Sequence, residues 1–385
     1  MNASKAFLLT LPVVVGMGPS VAQDVQATDT GPETNTATYE CESGHEIKRR
    51  RVTLDNGLRR YTFQFQGCQD ASHEGQHPCN EGNFGMPDPT LANWYWGGFL
   101  KIMVNGADAV LYDREDLQIT ERGPRGGFQV MWAHPDAEVG LRLLLPDGSN
   151  HVLAHLVWRP RPGAKVETVE LNMTCYPSFF TAAGQRTGER HCRTPRMDEV
   201  EPNTLELVPV EDTYLYYYDA VFDVAKGEGS GPCAAMIAPD AVEGGRVRIT
   251  GYPVHTDIRL KPETGEARLA FYDFTGLTNE EAGEYLTAHA AEDLAALRET
   301  DFRPAPARAL VLGELRAEAQ ELLSDAAEDG VALKPRVDEL LRRVTDLKAR
   351  ADQRDWRAEA ELSSLLVDSE DFFWKLRSFA VLNNP

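Results

Sequence analysis

The sequence predicts a mainly β protein, a large antiparallel β-sandwich followed by a C-terminal α-helical bundle. Two patterns predict it. From about residue 41 to 275 apolar residues recur with a period of two and turn residues interrupt them at short intervals; after residue 275 the period becomes that of a helix. More than ten short strands with no helix between them call for antiparallel sheets packed face to face.

The elements follow in chain order. Lys5, an apolar run over 6–15 and a small-residue stretch ending in Ser20-Val21-Ala22 have the plan of a secretory signal, so 1–22 is read as a signal peptide cleaved after Ala22. A membrane span would need about 20 apolar residues, and no later segment is apolar enough, so no membrane insertion is expected. Residues 23–40 offer almost nothing to bury and are expected to be a disordered leader. The sandwich is assigned to 41–275. Asn56-Gly57 between 51–54 and 60–65 marks a hairpin, because that dipeptide accepts the positive φ angles of a tight turn, and Asn105-Gly106 between 99–104 and 109–112 repeats the device. Further strands are expected at 117–120, 128–133, 139–145, 151–158, 166–175, 205–208, 214–219, 234–237, 246–250, 257–260 and 267–274. Turns of the type Pro146-Asp147-Gly148-Ser149 and Pro262-Glu263-Thr264-Gly265 reverse the chain between them.

The helical segment is 276–385. Thr278 and Glu281 form a capping box for a first helix ending near Glu299. The bundle proper runs from about 307 to 385: one helix stopped at Gly330, another opened by Pro335, and a last one whose Phe372, Phe373 and Trp374 are expected to dock on something larger.

Export implies an oxidising compartment, and Cys41, Cys68, Cys79, Cys175, Cys192 and Cys233 are an even set without a C-x-x-C pair. Fifteen connectivities exist; the short loops favour Cys68–Cys79 and Cys175–Cys192, which leaves Cys41–Cys233. A net charge of −21 excludes nucleic acid as a partner, since phosphate contacts need a basic face.

Four features could carry chemistry. His73-Glu74-Gly75-Gln76-His77 matches the H-E-x-x-H pattern in which a helix brings two histidines to one zinc ion. Gly75, Pro78 and the short Cys68–Cys79 loop oppose that helix and no third ligand follows, so His73 and His77 are metal ligands only in the least favoured reading; no cofactor is called for. Arg186, Arg190, Arg193 and Arg196, near Tyr176, are a cationic exception in an acidic chain. Guanidinium forks of this kind bind carboxylates; the alternative is pairing with the protein's own acids. His151 and His155 share one face of a strand, about 13 Å apart, with Trp132 and His134, and Tyr214, Tyr216 and Tyr218, on strands nearby. Trp94 and Trp96, in Asn93-Trp94-Tyr95-Trp96-Gly97-Gly98, could stack on sugar rings or fill the core.

Across 45–275 this run of antiparallel strands carrying histidine, tyrosine and arginine resembles the super-sandwich of galactose-mutarotase-like proteins and related polysaccharide lyases. The likeness is one of fold and transfers no catalytic residue. By role, it implies His155 or Tyr216 as base and Arg190 or Arg193 as carboxylate clamp. The resulting expectation is a secreted or periplasmic protein that binds or processes a sugar or polysaccharide, anionic sugars included. If it is an enzyme, it is a lyase, epimerase or hydrolase. The alternative is a non-catalytic envelope scaffold whose C-terminal helices dock a protein partner, and a zinc-dependent hydrolase comes third.

Overall fold

A computed structural model describes residues 24–36, 46–68, 84–112, 114–178, 188–222, 224–325, 327–353 and 355–383. The proposed signal peptide, Cys41, the H-E-x-x-H loop with Cys79, and Arg186 lie outside them. In chain order the strands are β1 (Gln26–Asp29), β2 (Glu33–Thr36), β3 (Glu46–Asp55), β4 (Arg60–Cys68), β5 (Phe84–Asp88), β6 (Leu100–Val104), β7 (Ala107–Asp108), β8 (Arg114–Glu121), β9 (Arg125–Trp132) and β10 (Ala137–Pro146). They continue with β11 (His151–Pro160), β12 (Val169–Cys175), β13 (Arg190–Arg193), β14 (Asp198–Val200), β15 (Asn203–Leu207), β16 (Tyr214–Asp219), β17 (Cys233–Ile237), β18 (Val242–Ile249), β19 (Val254–Leu260) and β20 (Glu266–Asp273). Five helices close the chain: α1 (Asn279–Glu299), α2 (Ala305–Ala309), α3 (Leu312–Asp325), α4 (Ala327–Ala351) and α5 (Trp356–Asn383).

The protein is mainly β, with three antiparallel sheets and C-terminal helices. A nine-stranded sheet runs β14-β13-β16-β17-β20-β11-β10-β9-β8, a six-stranded sheet β15-β18-β19-β12-β6-β7, and a five-stranded sheet joins β1 to β5. Strand alternation gives the nine-stranded sheet two apolar faces. Its inner residues, among them Phe128, Leu141, Leu143, Tyr217 and Phe271, share one core with Ile102 and Leu171 of the six-stranded sheet and with Phe63 and Phe65 of the five-stranded sheet. Its outer residues Leu144, Leu153, Met236, Ala270 and Tyr272 are covered by Ala282, Leu286 and Leu297 of α1.

Local signals act where they were read. Asn105 and Gly106 both take positive φ, 49° and 82°, in the turn between β6 and β7, and the Thr278–Glu281 capping box opens α1. Elsewhere the structure corrects the expectation. The leader is not wholly unstructured, because β1 and β2 both pair with β3, and Ala27 of β1 and the preceding Val25 join the core. Residues 109–111 form a 3₁₀ turn rather than a strand, capped by the Asp108 carboxylate, which accepts from the Val110 amide. Gly330 does not stop a helix: it lies inside α4, and a Cβ there would stand 2.0 Å from the Leu323 carbonyl oxygen, so the glycine permits a close approach to α3. Pro335 is likewise inside α4.

Helices α3, α4 and α5 form the bundle. Phe372 and Phe373 do not dock on the sandwich but pack inside this bundle against Ala319, Val337 and Leu376, and Trp374 is 67% exposed. The side chains of α5 that reach the sandwich include Trp356, Glu359 and Ser364.

Candidate functional site

Register across the nine-stranded sheet builds the site. Gln118 of β8 faces Gln129 of β9, Gln129 faces Arg142 of β10, Arg142 faces His155 of β11, and His155 faces Arg268 of β20. Five polar side chains therefore cross five strands in one row on the outer face, at the edge of the apolar patch under α1.

Each member is held. Arg142 donates from Nε to Gln129 Oε1 at 2.7 Å and pairs through Nη1 with Glu359 of α5 at 2.8 Å. Its guanidinium lies 3.9 Å from the centre of the Trp356 ring, a cation–π contact removed from water. The Gln129 amide donates to Asp116 Oδ2 at 3.0 Å, and burial raises that carboxyl above the ordinary aspartate range. Ser364 of α5 and Gln118 Oε1 are 3.1 Å apart. Arg268 Nη1 donates to the carbonyls of Leu297 and Thr300, each at 3.2 Å, placing a cation where the α1 dipole is negative.

His155 stands at the centre. Its ring lies 5.0 Å from Phe302 and 5.1 Å from Trp356, and Nε2 meets Glu266 Oε2 at 2.9 Å. Burial lowers its pKa, and Glu266 opposes that only in part. With the carboxylate accepting from Nε2–H, Nδ1 keeps its lone pair; it is a buried atom without a hydrogen-bond partner among the described residues, as is Arg142 Nη2. The ring and its carboxylate have the geometry of an oriented acid–base pair.

Arg142, His155, Glu266, Arg268, Phe302 and Trp356 line a cleft of about 520 Å³ between the sandwich and the helical segment, a size that suits a small ligand. Arg142, Arg159, Arg268, Arg303 and Arg357 are matched there by Glu138, Glu266, Glu299, Asp301 and Glu359. In a chain of net charge −21 this wall is locally balanced.

Among the described residues that the sequence singled out as candidates, only His155 lines the cleft. Tyr216 lies on the same sheet face but in the row Tyr216–Ala234–Tyr272–His151, four residues along β11 from His155. It is buried under α1 with its hydroxyl donating to the Asn279 carbonyl at 2.8 Å, and burial raises its pKa strongly; both facts disqualify it as a base. Arg190 is no clamp either, because it points into the core and pairs with Asp219 at 2.9 Å, both fully buried. Arg193 reaches Thr287 of α1 at 3.1 Å and lies 5.8 Å from the Tyr216 ring. Arg196 donates to Asp212 at 2.8 Å. Arg190 and Arg196 thus follow the alternative of pairing with the protein's own acids, Arg193 is held by α1, and none of these three joins His155.

The aromatic candidates divide similarly. Trp132 faces inward, edge-on to Phe84, rather than sharing the face of His155. Trp94 is core, its indole donating to the Tyr272 carbonyl at 2.9 Å. Trp96 contacts Tyr95, and Tyr176 sits between Tyr95 and Tyr252. Cys175 and Cys192, expected to be joined, are both free buried thiols, as is Cys233. Among the described residues no group of three or more His, Cys, Asp or Glu is arranged to hold a metal ion, and no helix is long and apolar enough to cross a membrane.

The sequence matches no family model and no curated protein. Solved structures with some likeness include a TPR-domain containing protein from Parabacteroides distasonis (9% identity, TM-score 0.37, 66% of this chain and 55% of that chain). Another is the alpha-N-acetylgalactosaminidase NagBb from Bifidobacterium bifidum with GalNAc (10% identity, TM-score 0.38, 72% and 41%). A third is the GH36 alpha-galactosidase AgaA from Geobacillus stearothermophilus (9% identity, TM-score 0.33, 58% and 41%). The chain covers less than two thirds of the length of each, and none transfers a residue role to it.

Proposed function

We propose that this is an exported, carbohydrate-directed protein and that the cleft around His155 is its sugar site. The observation that supports the reading is the balanced wall: planar guanidinium and carboxylate groups, suited to adjacent hydroxyls, beside Trp356 and Phe302 in a cleft of about 520 Å³. Equal numbers of the two charges favour a neutral sugar over a polyanion. His155 with Glu266 would supply any proton transfer.

Calorimetric titration of the full chain with neutral and uronic-acid oligosaccharides tests this. Binding that is lost in Val157→Trp, whose indole would fill the cleft from β11, supports it; no binding across the panel, or binding unaffected by that substitution, overturns it. Appearance of an unsaturated uronate product would add elimination to binding.

The same row favours a second reading, a scaffold. Gln118, Arg142 and Arg268 all engage the helical segment, so this polar face also serves to seat helices. A chain that binds no glycan but keeps the helices seated would fit the scaffold.

A further inference from the structure

Three cysteines that neither reading uses meet in the core. β13, β16 and β17 are neighbours, and their register places Cys192, Tyr217 and Cys233 in one row, all pointing inward. On the facing sheet β12 ends at Cys175, which points inward by alternation and is bridged to Trp94, whose ring stands edge-on to Tyr217 at 6.0 Å. Cys175 thus faces the row from across the sandwich. Cys192 and Cys233 are separated by two strand spacings, roughly 10 Å, with Tyr217 between them, so they do not reach each other and Cys175 has a choice of partner. Its nearer partner is Cys233, whose Sγ donates at 3.5 Å to the Asn93 carbonyl, the same oxygen that accepts from the amide of Tyr176, the residue after Cys175.

We propose that Cys175 and Cys233 form a disulfide that staples the six-stranded to the nine-stranded sheet when the chain folds in an oxidising compartment, and that Cys192 stays a thiol. The oxidant is a disulfide, R–S–S–R. One cysteine thiolate attacks it and releases one RSH, leaving a mixed disulfide; the second thiolate displaces the other RSH and closes the Cys175–Cys233 bond. Two thiols lose two protons and two electrons, and the oxidant gains both. The bond forms before the core closes, because all three thiols are buried once the sheets meet and a buried thiol is a poor nucleophile.

The full chain, refolded from denaturant in a glutathione redox buffer, is alkylated and digested without reduction for peptide mapping. A 175–233 linked peptide is expected, present also in Cys192→Ser and absent in Cys233→Ser. Reduction should lower the melting midpoint by roughly 10 °C in the first two proteins and not in the third. A 175–192 link, a link from Cys233 to any other cysteine, or Cys175 recovered as a free thiol in the wild-type chain overturns the proposal.

Discussion

Arg142 of β10 and Glu359 of α5 form an ion pair at 2.8 Å, 217 residues apart in sequence, with both side chains nearly excluded from solvent. Their geometry fixes where the bundle meets the sandwich. Removing one partner leaves the other charge buried and alone, so Glu359→Ala is expected to destabilise the protein by about 3–5 kcal/mol, while Arg142→Met with Glu359→Leu should restore most of the loss. Urea unfolding of the two singles and the double decides it. A loss under about 1 kcal/mol in the single would show that water already reaches the pair.

His151 predicts an acid weakness. It is buried under α1 against the Tyr272 ring at 4.4 Å, and burial depresses its pKa to about 4, with Asp293 at 4.0 Å opposing the shift. The unfolded chain takes up this proton near pH 6.5 and the folded chain only near 4, so the unfolded state binds more protons between those values. The contribution is intact above pH 6.5 and declines as pH falls to about 4, by up to roughly 3 kcal/mol. Burial lowers the His155 pKa too, in the same direction. In His151→Gln the stability profile should be flatter over that window; parallel profiles for variant and wild type would refute the assignment.

Asp108 carries the opposite sign. Its Oδ1 accepts from the Ile102 and Val110 amides, Oδ2 is buried with no hydrogen-bond partner among the described residues, and burial raises the pKa from 3.8 to about 6. The folded state here holds its proton more tightly, so this contribution is complete below pH 3.8 and is lost as pH rises through 6. Asn can keep the Oδ1 acceptor without the charge. Asp108→Asn is therefore expected to be more stable than wild type at pH 7 by roughly 1–3 kcal/mol, with the gap closing below pH 4 in a pH series of unfolding midpoints.

What was legible in the sequence was local. Asn105-Gly106 forms its turn, and Thr278 with Glu281 caps its helix, because a few neighbouring residues determine both. The site was not local. His155 was visible as a strand histidine, but its partners Arg142 and Glu266 come from β10 and β20, and the pairing of β11 with β20 joins residues more than a hundred positions apart. One signal was present: Arg142 interrupts the otherwise apolar 139–145, and an arginine in such a strand needs a buried partner. Tyr216 and Arg190 misled because alternation gives the face of a strand and not what covers it; α1 covers the first and the core encloses the second.

Gly140 is the seat of Trp356. It lies in the row Met131–Gly140–Val157–Glu266, beside that of Arg142, and a Cβ there would come within 2.5 Å of the Met131 sulfur and 3.0 Å of the Trp356 ring. Met131 is flexible, but the indole is fixed between Arg142 and His155. Gly140→Val should therefore lift Trp356 off the sheet at a cost of about 1–3 kcal/mol and speed proteolysis near 352–355, where α5 begins, while the β body stays resistant. Trp356→Ala alone should cost about 3–5 kcal/mol. Because valine and indole compete for one space, the double variant should cost less than the sum of the singles. Additive losses would mean that Gly140 matters for the strand itself and not for the helix docked on it.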